Sequence, residues 1–371
     1  MTRPFFAGLT LLACSLQVSA ATSPGADGGQ VTIPGTEVRS LHSEIVKQDY
    51  RLLVGLPGGY AESRASYPVL YLLDAQWDFP LVYALYGQQY YDGFVPALVI
   101  VGVTWGGERP DPDLLRQRDF TPTSIDGAVA TGGAAKFLAF FERELIPFVE
   151  SQYRTSPHRT LAGSSLGGLF TLYALFNRPD LFDNYIATSS ATPWDHGSVY
   201  AFSDGFAERS AASPSRLFVA VSELEALHGP VMDLADWLQR QAWPGLTWTS
   251  HVVAGAGHSG VKAEGDARGL QYVFARPELA LPEGELEPLA GTYRSADGQS
   301  VLHFVVRDGS LWAGIGDEPP RALEAQDATH FYRKGEFTKV RFVRSQDGAV
   351  TGCVLDTYAH TTEFQKSDNP P

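Results

Sequence analysis

The chain has 371 residues, of which 44% are hydrophobic and 12% aromatic, and its formal net charge is −14 at pH 7. Single hydrophobic cores stop growing at roughly 250–300 residues, so this length predicts a main domain and a smaller one. The acidic balance disfavours nucleic acid and anionic membrane surfaces as partners, because both attract clustered Lys and Arg.

The N-terminus has the pattern of an export signal. Arg3 precedes the apolar stretch FFAGLTLLACSLQV, and the small residues VSA at 18–20 fit the rule for cleavage. Residues 1–20 are therefore predicted to be a signal peptide and 21–36 a flexible leader, and we expect a periplasmic or secreted protein. No later run approaches the roughly eighteen apolar residues of a membrane-spanning helix.

The two cysteines refine this expectation. Cys14 follows Leu-Leu-Ala, which resembles a bacterial lipoprotein site, so a membrane-anchored lipoprotein is the alternative localisation. Cleavage after residue 20 would leave Cys353 alone, and the mature chain could then form no intrachain disulfide.

Strand and helix patterns alternate beyond the leader. Apolar runs predict strands over 37–47, 49–56, 67–75, 97–105, 158–163, 184–190, 216–222 and 247–255. Helical patterns occupy 134–153, 166–177, 231–241 and about 261–275. This alternation predicts an α/β domain over 37–276, with a mainly parallel sheet covered by helices on both faces. In such sheets, ligands bind at the carboxyl ends of the strands.

The pattern changes at residues 277–286, PELALPEGEL, which we interpret as a linker. No helical periodicity follows, and Asp-Gly pairs typical of hairpin turns recur at 297–298, 308–309 and 347–348. A small antiparallel β domain is therefore predicted over 287–371.

A candidate nucleophile lies between a predicted strand and a predicted helix. Residues 163–167 read GSSLG and fit the G-x-S-x-G pattern with Ser165 at the centre. Such a pattern is weak alone, but a sharp turn from strand to helix is the context that exposes a nucleophilic serine. A serine hydroxyl also needs a base, and the base needs an acid that orients it.

The base and the acid are predicted at the ends of two later strands. α/β-hydrolases supply their residues in the order serine, acid, histidine. Glu225 follows the strand over 216–222, and His258 follows the strand over 247–255. Glu223 remains the alternative acid, because strand ends are poorly placed from sequence.

His258 lies in the segment GAGHSG at 255–260, which also fits the G-x-G-x-x-G fingerprint of a dinucleotide-binding loop. That fingerprint should open a βαβ unit with an acidic residue at the end of the next parallel strand. Here the predicted helix runs towards Pro277 and the α/β pattern stops. A loop that carries a catalytic histidine is the favoured interpretation.

Two backbone N–H groups are predicted to stabilise the oxyanion of an attacked carbonyl. One belongs to Leu166, directly after the nucleophile, and the other to the loop after the third strand, where Gln76 is the candidate. Trp77 follows in the same loop and is predicted to wall the substrate pocket.

The chain resembles the esterase D family, which includes S-formylglutathione hydrolases and enterobactin and salmochelin esterases. The matching segments are YPVLYLLDAQWDF, RQRDFTPT, FLAFFERELIPFVESQYRT, RTLAGSSLGGLFTLYALFNRPDLF, SSATPW, FVAVSELE and GAGHSG. The resemblance implies an α/β-hydrolase fold and places Ser165, His258 and Glu225 in the roles of nucleophile, base and acid. Its siderophore-esterase branch is the most similar, through RQRDFTPT and SELE.

The same resemblance suggests residues that contact the substrate. Arg116 and Arg118 of RQRDFTPT are predicted to pair with an anionic substrate, with structurally paired arginines as the alternative. Trp194 of SSATPW is predicted to line the pocket. The segment after 288 resembles a small barrel-like module of exported beta-lactamase-related hydrolases.

These features predict an exported serine esterase that hydrolyses a small-molecule ester, such as a siderophore trilactone, through an acyl-enzyme. An acyltransferase and a non-catalytic binding protein on the same fold are the alternatives. No metal or cofactor is predicted, since the nine histidines include no H-E-x-x-H pair.

Overall fold

A computed structural model describes residues 32–128, 130–276, 279–357 and 360–367. The predicted signal peptide, the alternative lipidation site at Cys14 and residues 21–31 of the predicted leader lie outside these ranges. In the described part of the chain, no helix combines the length and apolar character needed to cross a membrane. The two sheets described below belong to one compact unit that begins at Gly35.

The first sheet has eight strands in the order β1-β2-β4-β3-β5-β6-β7-β8. Their bounds are Thr36–Ser43 (β1), Gln48–Gly55 (β2), Tyr67–Leu72 (β3), Val99–Trp105 (β4), Thr155–Ser164 (β5), Asn184–Thr188 (β6), Ser215–Ser222 (β7) and Leu246–Val253 (β8). Strands β3 to β8 pair in parallel, whereas β1 and β2 are antiparallel to their neighbours. The carboxyl ends of the parallel strands therefore meet at one edge.

Helices cover both faces of this sheet. They are Ala75–Tyr91 (α1), Pro112–Phe120 (α2), Ala134–Phe140 (α3), Ile146–Gln152 (α4), Leu166–Asn177 (α5), Phe206–Ala212 (α6), His228–Gln241 (α7) and Val261–Val273 (α8), whereas the short helix Glu283–Leu286 (α9) contributes Leu286 to the core of the second sheet. Buried side chains of α1 and α8 form one core cluster, and those of α3, α4, α5 and α7 form a second. Two apolar layers thus enclose the parallel strands, which explains their nearly continuous apolar sequences.

Several helices differ from the sequence expectation, and α2 and α6 lie, like α1, in stretches for which no helix was predicted. Helix α1 occupies a stretch that the pattern left unassigned, because Pro80 interrupts a helix whose buried face is Phe79, Val82 and Tyr86. The helix predicted over 134–153 contains a π-helical turn at Phe141–Leu145, followed closely by Pro147. Proline has no N–H for the helical ladder, and a widened turn accommodates that loss.

The second sheet is a closed barrel in which each strand is antiparallel to the next and the last pairs with the first. Its strands are Gly291–Ser295 (β9), Val301–Arg307 (β10), Ser310–Ile315 (β11), Arg321–Ala325 (β12), His330–Arg333 (β13), Thr338–Arg344 (β14), Val350–Thr357 (β15) and Thr361–Lys366 (β16). Asp308 and Gly309 form a two-residue turn between β10 and β11, both with positive φ, as their sequence predicted.

The predicted fold class is confirmed: an α/β sheet with helices on both faces, followed by an antiparallel β domain. The barrel contacts the α/β part directly, since the Tyr90 and Phe337 rings lie 5.6 Å apart and the Gly335 N–H donates to the Asp92 carbonyl at 2.9 Å. The domain bounds proposed from sequence stay predictions.

Candidate active site

Ser165 lies in a strained turn between β5 and α5. Its φ and ψ are 59° and −116°, a conformation that side-chain-bearing residues rarely adopt. Three backbone hydrogen bonds hold it there. Its N–H donates to the Thr188 carbonyl at 2.9 Å, and its carbonyl accepts from the N–H groups of Leu169 at 3.0 Å and Ala191 at 2.9 Å.

Glycines make this turn possible by allowing close backbone approach. A Cβ added at Gly163 would lie 2.5 Å from the Gly167 carbonyl oxygen, and one at Gly168 would lie 2.6 Å from Ser190 Oγ. Both distances are too short for a real side chain. Strand β5 and helix α5 can therefore meet tightly around Ser165 only with glycine at these positions.

His258 and Glu225 are in direct contact. The Nδ1 atom of His258 lies 2.5 Å from Glu225 Oε2, although the two residues belong to loops after different strands. A carboxylate only accepts hydrogen bonds, so Nδ1 carries the proton and Nε2 is left able to accept one. The carboxylate is buried, with 3% of its side chain exposed, whereas the imidazole is 45% exposed.

The other oxygen of Glu225 accepts three hydrogen bonds. Oε1 lies 2.5 Å from Ser189 Oγ, 2.7 Å from Ser222 Oγ and 2.8 Å from the Ser222 N–H. Burial alone would raise the pKa of Glu225, but the hydrogen bonds from Ser189, His258 and Ser222 outweigh it and lower the pKa below its ordinary value. The acid is thus fixed in position and kept ionised.

Glu223, the alternative acid, makes different contacts. Its carboxylate accepts from the Gly255 N–H at 2.8 Å, and its own N–H donates to the Val253 carbonyl at 3.1 Å. The Leu224 N–H adds a bond to the Ala256 carbonyl at 3.1 Å. Glu223 therefore joins the acid loop to the histidine loop, while Glu225 contacts the imidazole.

A short series of contacts links Ser165 to His258. The Ser165 N–H bonds to Thr188, the next residue Ser189 donates to Glu225, and Glu225 contacts His258. Ser189 itself has a positive φ of 42° and is fully buried. The ends of β5, β6, β7 and β8 thus contribute to one cluster, as the parallel topology requires.

Gln76 and Leu166 occupy the first turns of α1 and α5. The first N–H groups of a helix have no partner inside the helix and point out of its N-terminus, where they favour negative charge. Helix α1 starts beside the serine turn. Asp74 precedes the helix, and its Oδ2 would lie 3.4 Å from a Cβ added at Gly167. This placement suits the predicted oxyanion donors, whose roles stay predictions.

The residues predicted to contact substrate differ in how many hydrogen bonds their side chains already form within the protein. Trp77 is 49% exposed. Arg116 forms two hydrogen bonds with Asp74, and Arg118 forms two with Asp119. The Trp194 indole N–H donates to Thr123 Oγ1 at 3.1 Å. Both arginines therefore have internal carboxylate partners, which corresponds to the structural alternative given above.

Sequence analysis missed Ser189 and Ser222 as donors to the acid. Both are serines at strand ends, an ordinary feature of an α/β sheet, so their residue types alone carry little signal. Only the packing of β6 against β7 brings the two hydroxyls to the same carboxylate oxygen.

Comparison with known proteins identifies the family. A family model described as "Putative esterase" matches residues 43–226. The ferri-bacillibactin esterase BesA of Bacillus subtilis is 35% identical over 222 residues, which cover 55% of this chain and 75% of the relative. The chain belongs to this esterase family. It is a carboxylic ester hydrolase of the serine hydrolase type, and the predicted resemblance to siderophore esterases is confirmed.

Other relatives of the esterase match over shorter or more divergent stretches. The siderophore enterobactin esterase of Emericella nidulans is 44% identical over 103 residues, covering 25% of this chain and 34% of the relative. The solved BES protein from Bacillus cereus has a TM-score of 0.63 at 26% identity, covering 68% of this chain and 100% of that one. An IroE-like serine hydrolase from Shewanella oneidensis has a TM-score of 0.58 at 26% identity, covering 68% and 84%.

Proposed function

We propose that this esterase works through Ser165 as nucleophile, His258 as general base and Glu225 as the orienting acid. The observation that carries the proposal is the contact between Glu225 and His258, in which the carboxylate is held by three further donors. A fixed carboxylate sets the tautomer of the imidazole and stabilises the imidazolium that forms during catalysis.

In the first half of the reaction, His258 Nε2 takes the proton of Ser165 Oγ while the oxygen attacks the ester carbonyl carbon. The carbonyl oxygen gains negative charge and is stabilised by the N–H groups of Gln76 and Leu166. The tetrahedral intermediate then collapses, the bond to the alcohol oxygen breaks, and the imidazolium gives its proton to that oxygen. An acyl-enzyme remains on Ser165.

In the second half, Nε2 of His258 takes a proton from water, and the hydroxide oxygen attacks the acyl carbon. Collapse of this intermediate breaks the bond to Ser165 Oγ, which regains the proton from the imidazolium. The products are a carboxylic acid and an alcohol. Glu225 stays ionised throughout, in keeping with its lowered pKa.

Labelling with a fluorophosphonate tests this assignment. We expect a single adduct on Ser165, located by peptide mass spectrometry, and a loss of kcat/KM of about 10⁴-fold or more in Ser165→Ala. Ser164→Ala is the matched control, because this neighbouring hydroxyl is buried and has no hydrogen-bond partner among the described residues. Labelling of another residue, or equal losses in the two variants, would contradict the proposed nucleophile.

We also propose a siderophore ester, such as a catecholate trilactone, as the substrate class. The proposal rests on the names of the relatives, which are esterases of ferri-bacillibactin, triacetylfusarinine C and enterobactin. Hydrolysis is to be measured on an iron-free and a ferric catecholate trilactone, p-nitrophenyl butyrate and an acetylated sugar. We expect the highest kcat/KM on a trilactone, and a preference for the sugar or the aryl ester would rule this class out.

Export through the N-terminal segment is part of the proposal. The apolar stretch after Arg3 and the small residues at 18–20 support it. Cell fractionation with mass spectrometry of the mature N-terminus should find a chain that starts at residue 21 in the periplasm or medium. A lipid-modified N-terminus at Cys14, lost in Cys14→Ser, would favour the lipoprotein alternative.

A further inference from the structure

Asp74 joins β3 to α1 in an unusual conformation. Its φ and ψ are 52° and 37°, in the left-handed region, and its side chain does not cap the helix that follows. The carboxylate instead lies beneath the serine turn, with 2% of its side chain exposed. A strained residue with a buried charge persists only when surrounding contacts hold it.

Arg116 from α2 supplies those contacts. Its Nε donates to Asp74 Oδ1 at 3.1 Å and its Nη2 to Oδ2 at 2.7 Å, so the guanidinium and the carboxylate face each other in a bidentate pair. The guanidinium carbon lies 5.7 Å from the centre of the Trp77 ring and 5.9 Å from that of Phe120. The side chain is 16% exposed, which leaves little of it for a substrate.

A second ion pair holds the same turn of α1 from the other side. Lys262 from α8 donates to both carboxylate oxygens of Asp78, at 2.7 and 2.8 Å, and this pair is largely buried. Lys262 follows His258 by four residues. The first turn of α1 is therefore fixed at Asp74 by α2 and at Asp78 by the helix that follows the histidine loop.

We propose that Arg116 and Lys262 are positioning residues that hold the N-terminus of α1 so that the Gln76 N–H meets the oxyanion formed at Ser165. This inference rests on the function proposed above. It gives both cationic side chains a role in the reaction, although neither contacts the substrate. Preorganised donors act only if their positions are fixed before charge develops. A displacement of about 1 Å at such a donor can lower a rate by up to about 100-fold.

Kinetics of Arg116 variants test the proposal. In Arg116→Ala we expect kcat to fall about 10- to 100-fold on p-nitrophenyl acetate and equally on the anionic p-nitrophenyl succinate, with KM changed less than about threefold. Arg116→Lys keeps the charge but loses the bidentate pair. Its kcat should lie between that of the parent protein and that of Arg116→Ala. Added guanidinium at millimolar concentration should restore part of kcat in Arg116→Ala and none in Lys136→Ala, a control on an exposed residue of α3.

A paired variant covers the case in which Arg116→Ala does not fold. Asp78→Asn with Lys262→Met removes both charges of the pair together, so neither partner is left buried without the other. We expect this double variant to lower kcat with little change in KM. Unchanged kcat in the double variant, and in Arg116→Ala where that variant folds, would overturn the inference.

Two further outcomes separate the alternatives. A rise in KM limited to the anionic ester would show that Arg116 binds the substrate itself, which overturns a positioning role. Fluorophosphonate labelling of Ser165 in the parent protein reports the proposed nucleophile independently. Its absence would overturn the proposed function and this inference together, whereas labelling with unaltered kinetics in the variants would overturn the inference alone.

Discussion

Backbone with positive φ occurs in two regions of the molecule, but on different residue types. One region is the sheet edge that carries the candidate active site, and the other is the C-terminal barrel. At the candidate active site three non-glycine residues, Asp74, Ser165 and Ser189, have positive φ angles of 52°, 59° and 42°, beside Gly255 at 66°. In the described part of the barrel they belong to glycines, with Asp308 as the exception. Glycine adopts this conformation without strain, whereas the three active-site residues are held in it by hydrogen bonds.

The two regions also differ in what they bury. The α/β part buries the carboxylates of Asp74, Asp119 and Asp266, together with many hydroxyls. Among the described barrel residues, the buried polar side chains are those of Thr292 and Ser295. Strain and buried charge thus concentrate where the chemistry is proposed, so changes at the site should affect catalysis and changes in the barrel should affect stability.

After the loss expected at Ser165, the largest effect is expected at Glu225. In Glu225→Gln the amide nitrogen would donate towards His258 Nδ1 and favour the wrong tautomer, so kcat/KM should fall about 10³- to 10⁴-fold. Glu223→Gln is the matched control, since an amide oxygen can still accept from the Gly255 N–H, and its kcat/KM should stay within about threefold. Steady-state kinetics on an aryl ester would measure both, and the reverse order would make Glu223 the acid.

Removing a large buried side chain from the barrel should lower stability and leave catalysis nearly unchanged, the reverse of the effect at Glu225. Phe342 is buried, and its ring packs edge-to-face with those of Tyr293, Phe304 and Phe331. Phe342→Ala should destabilise the barrel by about 3–5 kcal/mol. Hydrogen exchange measured by mass spectrometry should show faster exchange in β9 to β16.

The same variant should leave catalysis nearly intact, with kcat/KM within about twofold at temperatures well below unfolding, because no contact of the proposed triad involves the barrel among the described residues. A large loss of kcat/KM with the α/β exchange pattern unchanged would break the comparison and give the barrel a part in catalysis.

Asp266 gives a pH-dependent test of the buried charges. Burial in α8, and then the nearby Asp78 carboxylate, raise the pKa of Asp266 to about 7, although Lys262 opposes the shift. Between the unfolded value near 4 and about 7, the folded state keeps a proton that the unfolded state releases. Asp266 therefore costs stability progressively as pH rises through this window, by roughly 2–4 kcal/mol once it is complete.

Asp266→Asn removes this cost. We expect its advantage in Tm over the parent protein to grow from pH 5 to pH 8, as followed by circular dichroism. A constant difference in Tm across that range would mean that Asp266 is ionised in the folded protein, and the buried charge would then have to be matched by Lys262.

The architecture and the candidate catalytic side chains could be predicted from sequence because each prediction depends on a local pattern, although the catalytic roles stay predictions. Alternating apolar runs mark the strands, and the GSSLG turn marks Ser165. Helix α1 was not found, since Pro80 lies within it and its apolar residues are spread around the helix instead of lying on one face. Interactions such as Arg116 with Asp74, or Ser189 with Glu225, join residues 42 and 36 positions apart, and only the fold brings them together.

The smallest expected effect tests the assignment of strain itself. Gly309 has a φ of 70° and open space where a Cβ would lie, so Gly309→Ala should cost only the left-handed conformation, about 1–2 kcal/mol. Gly58→Ala is the control, because that glycine also has open space but no positive φ, and the change should lie within about 0.5 kcal/mol of zero. Denaturant unfolding measures the free energy of unfolding of both variants. Because the two sites differ in the left-handed conformation, equal losses of stability would show that backbone strain is not the cause.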